Sequence, residues 1–235
     1  MSRRDLAGFS VLTFDCYGTL IDWETGISDA AGAALRSHDI HMSRSEILEL
    51  FAEVEPQIQD GSGYLEYRRV LRRVMAMIGV KLEFQFTESD LTCIADTLPS
   101  WPIFADTVPS LRAMKSRYKL AIISNVDDDL FAETAKVLEV PFDTVVTAQQ
   151  VRSYKPDHRN FHTALERMSI DKSRWLHIGE SLYHDIEPAN QLGIASVWVN
   201  RGHDREGAGA TRPTDAKPDL EAPDLATLVE LMGIS

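Results

Sequence analysis

The sequence predicts an α/β protein, a Rossmann-like parallel sheet core with helices on both faces and an inserted α-helical cap domain. Three observations predict it. Short apolar runs stop abruptly at polar residues: Phe9–Phe14 at Asp15, Lys119–Ile123 at Ser124 and Asn125, and Trp175–Ile178 at Gly179, Glu180 and Ser181. Segments with helical spacing lie between the later runs, and strands alternating with helices imply a parallel sheet covered on both sides. Between the first run and the second, residues 23–100 carry helical periodicity and no run of the parallel-strand kind.

Taken in order, Phe9–Phe14 reads as a buried strand that delivers Asp15 to a turn at Gly18. The inserted section opens at Trp23. Ser43, with Glu46 three residues on and then Ile47, Leu48, Leu50 and Phe51, has the pattern of a capping box at a helix start. Tyr64, Tyr67, Leu71, Val74, Met75 and Ile78 follow the three-and-four spacing of an amphipathic helix and read as cap core. Arg68, Arg69, Arg72 and Arg73 fall off that stripe and read as a solvated face, the alternative being an anion-attracting lip over the crevice.

After Trp101 the core resumes. Helices are expected over about Val108–Tyr118, Asp128–Leu138, Asn160–Met168 and His184–Leu192, the last closed by Gly193. Ala195–Val199 adds a further strand, Gly202–Pro218 reads as a loop from its glycine, proline and charge, and a last helix runs near Asp224–Met232. The resulting division is a catalytic core of residues 1–22 and 101–235 and a helical cap of residues 23–100.

Composition narrows the classes of function. The chain has 235 residues, 44% of them hydrophobic and 26% charged, which is near the soluble globular average and unlike a disordered or fibrous chain. Its 24 Lys and Arg against 36 Asp and Glu give a net charge of −12, which repels phosphate backbones and anionic lipids, so nucleic acid is not an expected partner. No stretch approaches the roughly 20 apolar residues of a membrane helix, and Met1–Asp5 has charges with no apolar run behind them, so the expectation is a cytoplasmic protein with no membrane partner. Cys16 and Cys93 are too few for a disulfide framework or a four-ligand zinc site. Both read as small buried apolar side chains.

In open parallel sheets the reactive crevice lies outside the strands' carboxyl ends, where the polar clusters fall. Asp15 is the candidate nucleophile, since a desolvated and oriented carboxylate can split one hard step into two easier ones. Gly18 permits a tight backbone beside it, and the Thr19 hydroxyl can fix its aim. Ser124 offers a hydroxyl and neighbouring amides to a substrate carboxylate or oxyanion, and Asn125 is expected to hold the aspartate or the substrate. Lys155, ahead of Pro156, lowers the repulsion between Asp15 and an anionic substrate. Asp185 supplies a second carboxylate that activates water, orients Lys155 or binds a metal. Glu180 reads either as a crevice carboxylate held by hydrogen bonds or as a substrate contact. His177, inside a buried strand, reads as a satisfied core histidine.

The segments Phe14–Leu20, Ile123–Asn125, Ser153–Pro156 and Gly179–Asp185 together resemble the haloacid dehalogenase superfamily, over about Ser10 to Asn200. The resemblance implies an aspartate nucleophile in a Rossmann-like core. Where the superfamily's phosphatases keep an acid two positions after the nucleophile, this chain has Tyr17, and the Asp-x-Tyr-Gly-Thr segment is similar to type II 2-haloacid dehalogenases. That implies displacement at C2 of a small carboxylic acid through an aspartyl ester, a 2-hydroxy acid product, Tyr17 in the substrate site, no required cofactor and a homodimer. The pattern departs at three places: Leu50–Val54 lacks the cap arginine, Phe161 replaces an aromatic hydroxyl, and Leu182 replaces an asparagine. A longer set resembles the azetidine-2-carboxylate hydrolases: Asp15–Ile27, Thr147–Gln149, Ser153–Pro156, Glu180–Asp185, Glu206, Gly207 and Gly209–Thr211. There ring strain would replace a good leaving group. Asp15, Glu180 and Asp185 also stand where Mg²⁺-dependent phosphatases of the superfamily put metal ligands, so a Mg²⁺ phosphatase is the alternative, and a non-catalytic binding protein the third reading.

Overall fold

The computed structural model describes residues 6–61, 63–202, 212 and 214–234. Among them six strands form one sheet in the order β3-β2-β1-β4-β5-β6, every neighbouring pair parallel. They are β1 Val11–Phe14, β2 Lys119–Ser124, β3 Thr144–Thr147, β4 Trp175–Gly179, β5 Ala195–Val199 and β6 Leu220–Ala222. All residues of β1 and β4 are buried, as expected of central parallel strands that face helices on both sides. Phe14 pairs with Ile122 on one side and Ile178 on the other. This register brings Asp15, Ser124 and Glu180 out at the same end of the sheet.

Between β1 and β2 come α1 Trp23–Arg36, α2 Arg44–Gln59, α3 Tyr67–Lys81, α4 Glu88–Thr97 and α5 Thr107–Lys115. The first four pack on one another around Ile27, Leu35, Phe51, Leu71, Met75 and Ile94, all buried. The capping box at Ser43 and Glu46 is formed. The remaining helices are α6 Asp128–Leu138, α7 Ala148–Val151, α8 His158–Met168, α9 Glu187–Leu192 and α10 Leu225–Met232.

Polar contacts join the inserted helices to the core beside β2. Asp127 accepts the amides of Tyr67 at 2.9 Å and Arg68 at 3.0 Å, satisfying the first N–H groups of α3 from another part of the chain. The Tyr154 hydroxyl donates to the Leu65 carbonyl at 2.8 Å.

Several expectations need correction. Tyr64 precedes α3 instead of lying on its stripe, and its hydroxyl faces Asp127. The helix expected from His184 begins as a π-turn over Leu182–Ile186, because the Ser181 carbonyl takes the Asp185 and Ile186 amides and the Ser181 hydroxyl takes that of His184. Cys16 is buried as expected, but Cys93 is only partly covered. Arg68, Arg69, Arg72 and Arg73 form the solvated face and not a lip: all four are exposed, and Arg68 and Arg72 pair with Asp129 and Glu88. Of the loop expected over Gly202–Pro218, positions 203–211 and 213 lie outside the described residues, and with them Glu206, Gly207 and Gly209–Thr211.

Candidate active site

Asp15 leaves β1 with its amide bonded to the Ile178 carbonyl at 2.9 Å. The chain then turns at Gly18, whose φ of 104° is a conformation that favours glycine. The turn returns Thr19 to the carboxylate, and its hydroxyl donates to Asp15 Oδ2 at 2.9 Å. The same Thr19 oxygen accepts the Glu180 amide at 2.9 Å. One hydroxyl thus aims Asp15 and anchors the loop after β4.

Lys155 is fully buried and its Nζ meets three oxygens: Asp15 Oδ1 at 2.8 Å, Asp185 Oδ1 at 2.7 Å and the Ile123 carbonyl at 2.9 Å. Asp185 reaches the lysine because Gly179 has no side chain; a Cβ there would sit 2.6 Å from the Asp185 Cβ. His177 completes the line, with Nε2 3.1 Å from Asp185 Oδ1 and Nδ1 2.8 Å from the Thr13 hydroxyl. It is the satisfied core histidine expected from sequence, and it also holds Asp185.

Two carboxyls share one ammonium, and unequally. Burial opposes ionisation of Asp185, but Lys155 and His177 together hold its carboxyl down at about 2. Burial pushes Asp15 above its ordinary value, the nearby Asp185 adds to that, and Lys155 only partly offsets it. Asp15 is therefore the more basic oxygen of the pair.

Asn125, expected to hold the aspartate or the substrate, does not hold Asp15 but the main chain of Lys155, accepting its amide at 2.7 Å and donating to its carbonyl at 3.1 Å. Ser124 Oγ is buried and makes no hydrogen bond among the described residues, as is true of Asp185 Oδ2. Of the two readings of Glu180, a crevice carboxylate held by hydrogen bonds or a substrate contact, the first is not seen: its main chain is bonded, and its carboxyl makes no hydrogen bond among the described residues. Burial, then Asp15 and Asp185, push it up to about 8 against the pull of Arg201. Tyr17 hydrogen-bonds Thr134 at 2.8 Å, and burial drives its phenol well above the ordinary value.

These groups open on a cavity of about 410 Å³ that the core and the inserted helices line together. Trp23, Glu55, Tyr64 and Tyr67 come from the insertion, and Asp15, Tyr17, Ser124, Asn125, Lys155, Glu180 and Asp185 from the core. Sequence reasoning missed Glu55 and Asp127. Glu55 had a signal: it lies four residues after Phe51 and beside Val54, on the buried stripe of α2, where a carboxylate needs a reason. Burial raises Glu55 to about 8, against Arg212. Asp127 had no signal, because its partners are 60 and 59 residues away.

Asp15, Glu180 and Asp185 do not form the Mg²⁺ ligand set expected if that ion is bound. The Lys155 ammonium sits between Asp15 and Asp185, Thr19 takes the other Asp15 oxygen, and no group of three His, Cys, Asp or Glu among the described residues is arranged to hold a metal ion.

A Rossmann-like sheet with a carboxylate, a lysine and a second carboxylate at its carboxyl end, under a helical insertion, defines a class of hydrolases. Residues 9–193 match the haloacid dehalogenase-like hydrolase family, and the chain belongs to it. The (S)-2-haloacid dehalogenase of Pseudomonas sp. (strain YL) is 32% identical over 132 residues, a match that spans 54% of this chain and 54% of that protein. That of Pseudomonas putida is 24% identical over 231 residues, covering 92% and 93%. The same fold occurs in the L-2-haloacid dehalogenase from Xanthobacter autotrophicus with chloropropionic acid covalently bound, at a TM-score of 0.79 and 20% identity over 96% of this chain and 98% of that one.

Proposed function

We propose that the Asp15 carboxylate attacks C2 of a small 2-substituted carboxylic acid, displaces the substituent and forms an aspartyl ester that water cleaves to a 2-hydroxy acid. The observation that carries this reading is the Lys155 ammonium between Asp15 and Asp185, which leaves Asp15 aimed, desolvated and the more basic of the two. Lys155 offsets the charge of the approaching acid, and the Ser124 hydroxyl, which makes no hydrogen bond among the described residues, is available to the substrate carboxylate. Residues 23–100 act as a cap that excludes water while the ester forms. The covalently bound chloropropionic acid of the Xanthobacter enzyme supports the same chemistry here.

Attack on carbon is favoured over attack on phosphorus because Tyr17 is no proton donor at neutral pH. The substrate is a 2-haloacid or azetidine-2-carboxylate. The second is supported by the cavity itself: among the described residues the insertion contributes no arginine to it, and it does contribute Glu55. With Glu180, that puts two carboxyl groups in the lining that a cationic ring nitrogen would draw into their charged form.

Mass spectrometry of L-2-chloropropionate, L-azetidine-2-carboxylate and a phosphate ester, each with EDTA or with Mg²⁺, tests the reading. A 2-hydroxy acid formed in EDTA is expected, and the substrate consumed separates the two leaving groups. Phosphate release only with Mg²⁺ would overturn it.

A further inference from the structure

The Glu180 main chain is fixed on both sides, its amide on Thr19 Oγ1 at 2.9 Å and its carbonyl on Trp198 Nε1 at 2.7 Å. Its carboxyl is left free in the cavity, with no hydrogen bond among the described residues. Oε2 occupies space that Gly18 leaves open: a Cβ on Gly18 would lie 3.2 Å from it. The group therefore lines the same cavity as Asp15, its main chain tied to the Asp15 carboxylate through Thr19, with its carboxyl free of hydrogen bonds among the described residues.

Asp185 is in the opposite condition. Its Oδ1 takes both Lys155 and His177, its Oδ2 makes no hydrogen bond among the described residues but is buried, and its carboxyl is held at about 2. A carboxylate so engaged is a weak proton acceptor.

We propose that Glu180, and not Asp185, is the general base that takes the proton from the water hydrolysing the Asp15 ester. The proposal rests on the ester mechanism above. In the resting site burial raises the Glu180 carboxyl, and the charges on Asp15 and Asp185 add to that, against the pull of Arg201. When Asp15 forms its C–O bond to C2 and the leaving group departs with the bonding electron pair, the Asp15 charge is gone. Glu180 then gives up its proton to the leaving group or to solvent and becomes a carboxylate. Water passes one proton to Glu180 while its oxygen bonds to Cγ of Asp15. The tetrahedral species expels the product oxygen, which takes the second proton. Asp15 is again a carboxylate and Glu180 again an acid; for a halide the balance is substrate plus water to hydroxy acid, halide and a proton, and for the ring, whose nitrogen stays attached and takes the Glu180 proton, substrate plus water to the hydroxy amino acid. The first step thus generates the base that the second step needs.

The test is intact-protein mass spectrometry in single turnover, using whichever of L-2-chloropropionate and L-azetidine-2-carboxylate the native protein consumes. Glu180→Gln is expected to form the ester and to hydrolyse it at least ~100-fold more slowly, so that the adduct accumulates. Glu180→Asp, which keeps a carboxylate, is expected to clear the adduct faster than Glu180→Gln, a rescue that a merely structural role would not give. Glu180→Gln turning over at the native rate overturns the proposal, as does Glu180→Gln failing to form any adduct or Asp185→Asn alone accumulating it. Asp15→Asn that still turns over, or a native protein that consumes neither acid, overturns instead the ester mechanism beneath it.

Discussion

Asn125 and Lys155 hold each other by reciprocal hydrogen bonds, the Lys155 amide donating to Asn125 Oδ1 at 2.7 Å and Asn125 Nδ2 donating to the Lys155 carbonyl at 3.1 Å. Lys155 is thereby placed by its backbone before its side chain meets any carboxylate. Asn125→Ala leaves a buried amide unpaired and is expected to cost about 1–3 kcal/mol in urea unfolding, with a fall in turnover.

Lys155→Met removes the cation shared by two buried carboxylates. Its expected cost is about 3–5 kcal/mol at pH 7, with loss of turnover. The pH dependence follows from Asp185, whose carboxyl stands at about 2 in the folded protein against an ordinary 3.8. Its contribution to stability is present above about 3.8 and is lost as pH falls toward 2. Unfolding of the native protein between pH 5 and pH 2 should show this loss, and Lys155→Met should show less of it.

Glu55 and Glu180 act in the other direction. Each rises from an ordinary 4.5 to about 8 on folding, so the folded state keeps a proton that the unfolded chain releases. Their contribution is present below about 4.5 and is lost as pH rises through 8. Thermal unfolding from pH 5 to pH 9 is expected to flatten in Glu55→Gln.

Thr19→Val deletes the oxygen that serves both Asp15 and Glu180. With about 1.5–3 kcal/mol assigned to a hydrogen bond to a charged group, kcat is expected to drop ~10–100-fold. KM should change less, because the hydroxyl faces Asp15 and not the substrate. Steady-state kinetics separates the two.

The parallel core was legible in the sequence because each central strand is a short apolar run ending at a polar residue that the site uses. Phe14 before Asp15 and Ile123 before Ser124 are examples. The outer strands were not: Thr144–Thr147 has only two buried residues and Leu220–Ala222 only one, too few for a pattern. Asp15, Thr19, Lys155 and Asp185 were found as a set and come together as one. The role of Asn125 was missed because it depends on a backbone-to-side-chain pairing across 30 residues, which residue type does not encode. That the Glu180 carboxyl lies against Gly18, where a Cβ would be 3.2 Å from its Oε2, is a property of packing.

Asp127→Ala frees the two amides at the start of α3. Loss of such a cap is expected to cost about 0.5–2 kcal/mol. Urea unfolding measures it, and Asp127→Asn should recover part of the loss.

The same aspartate gives the enclosure a fixed jamb. With the Tyr154 hydroxyl on Leu65, it fastens the start of α3 beside the end of β2, and separation there would strip two helix-terminal amides of their acceptor. The opposite rim is held at its surface, where Arg212 bridges Asp60 and the Tyr183 ring, an exposed ion pair of the kind that contributes little. The two rims of the cavity are therefore fastened unequally, firmly at Asp127 and weakly at Arg212.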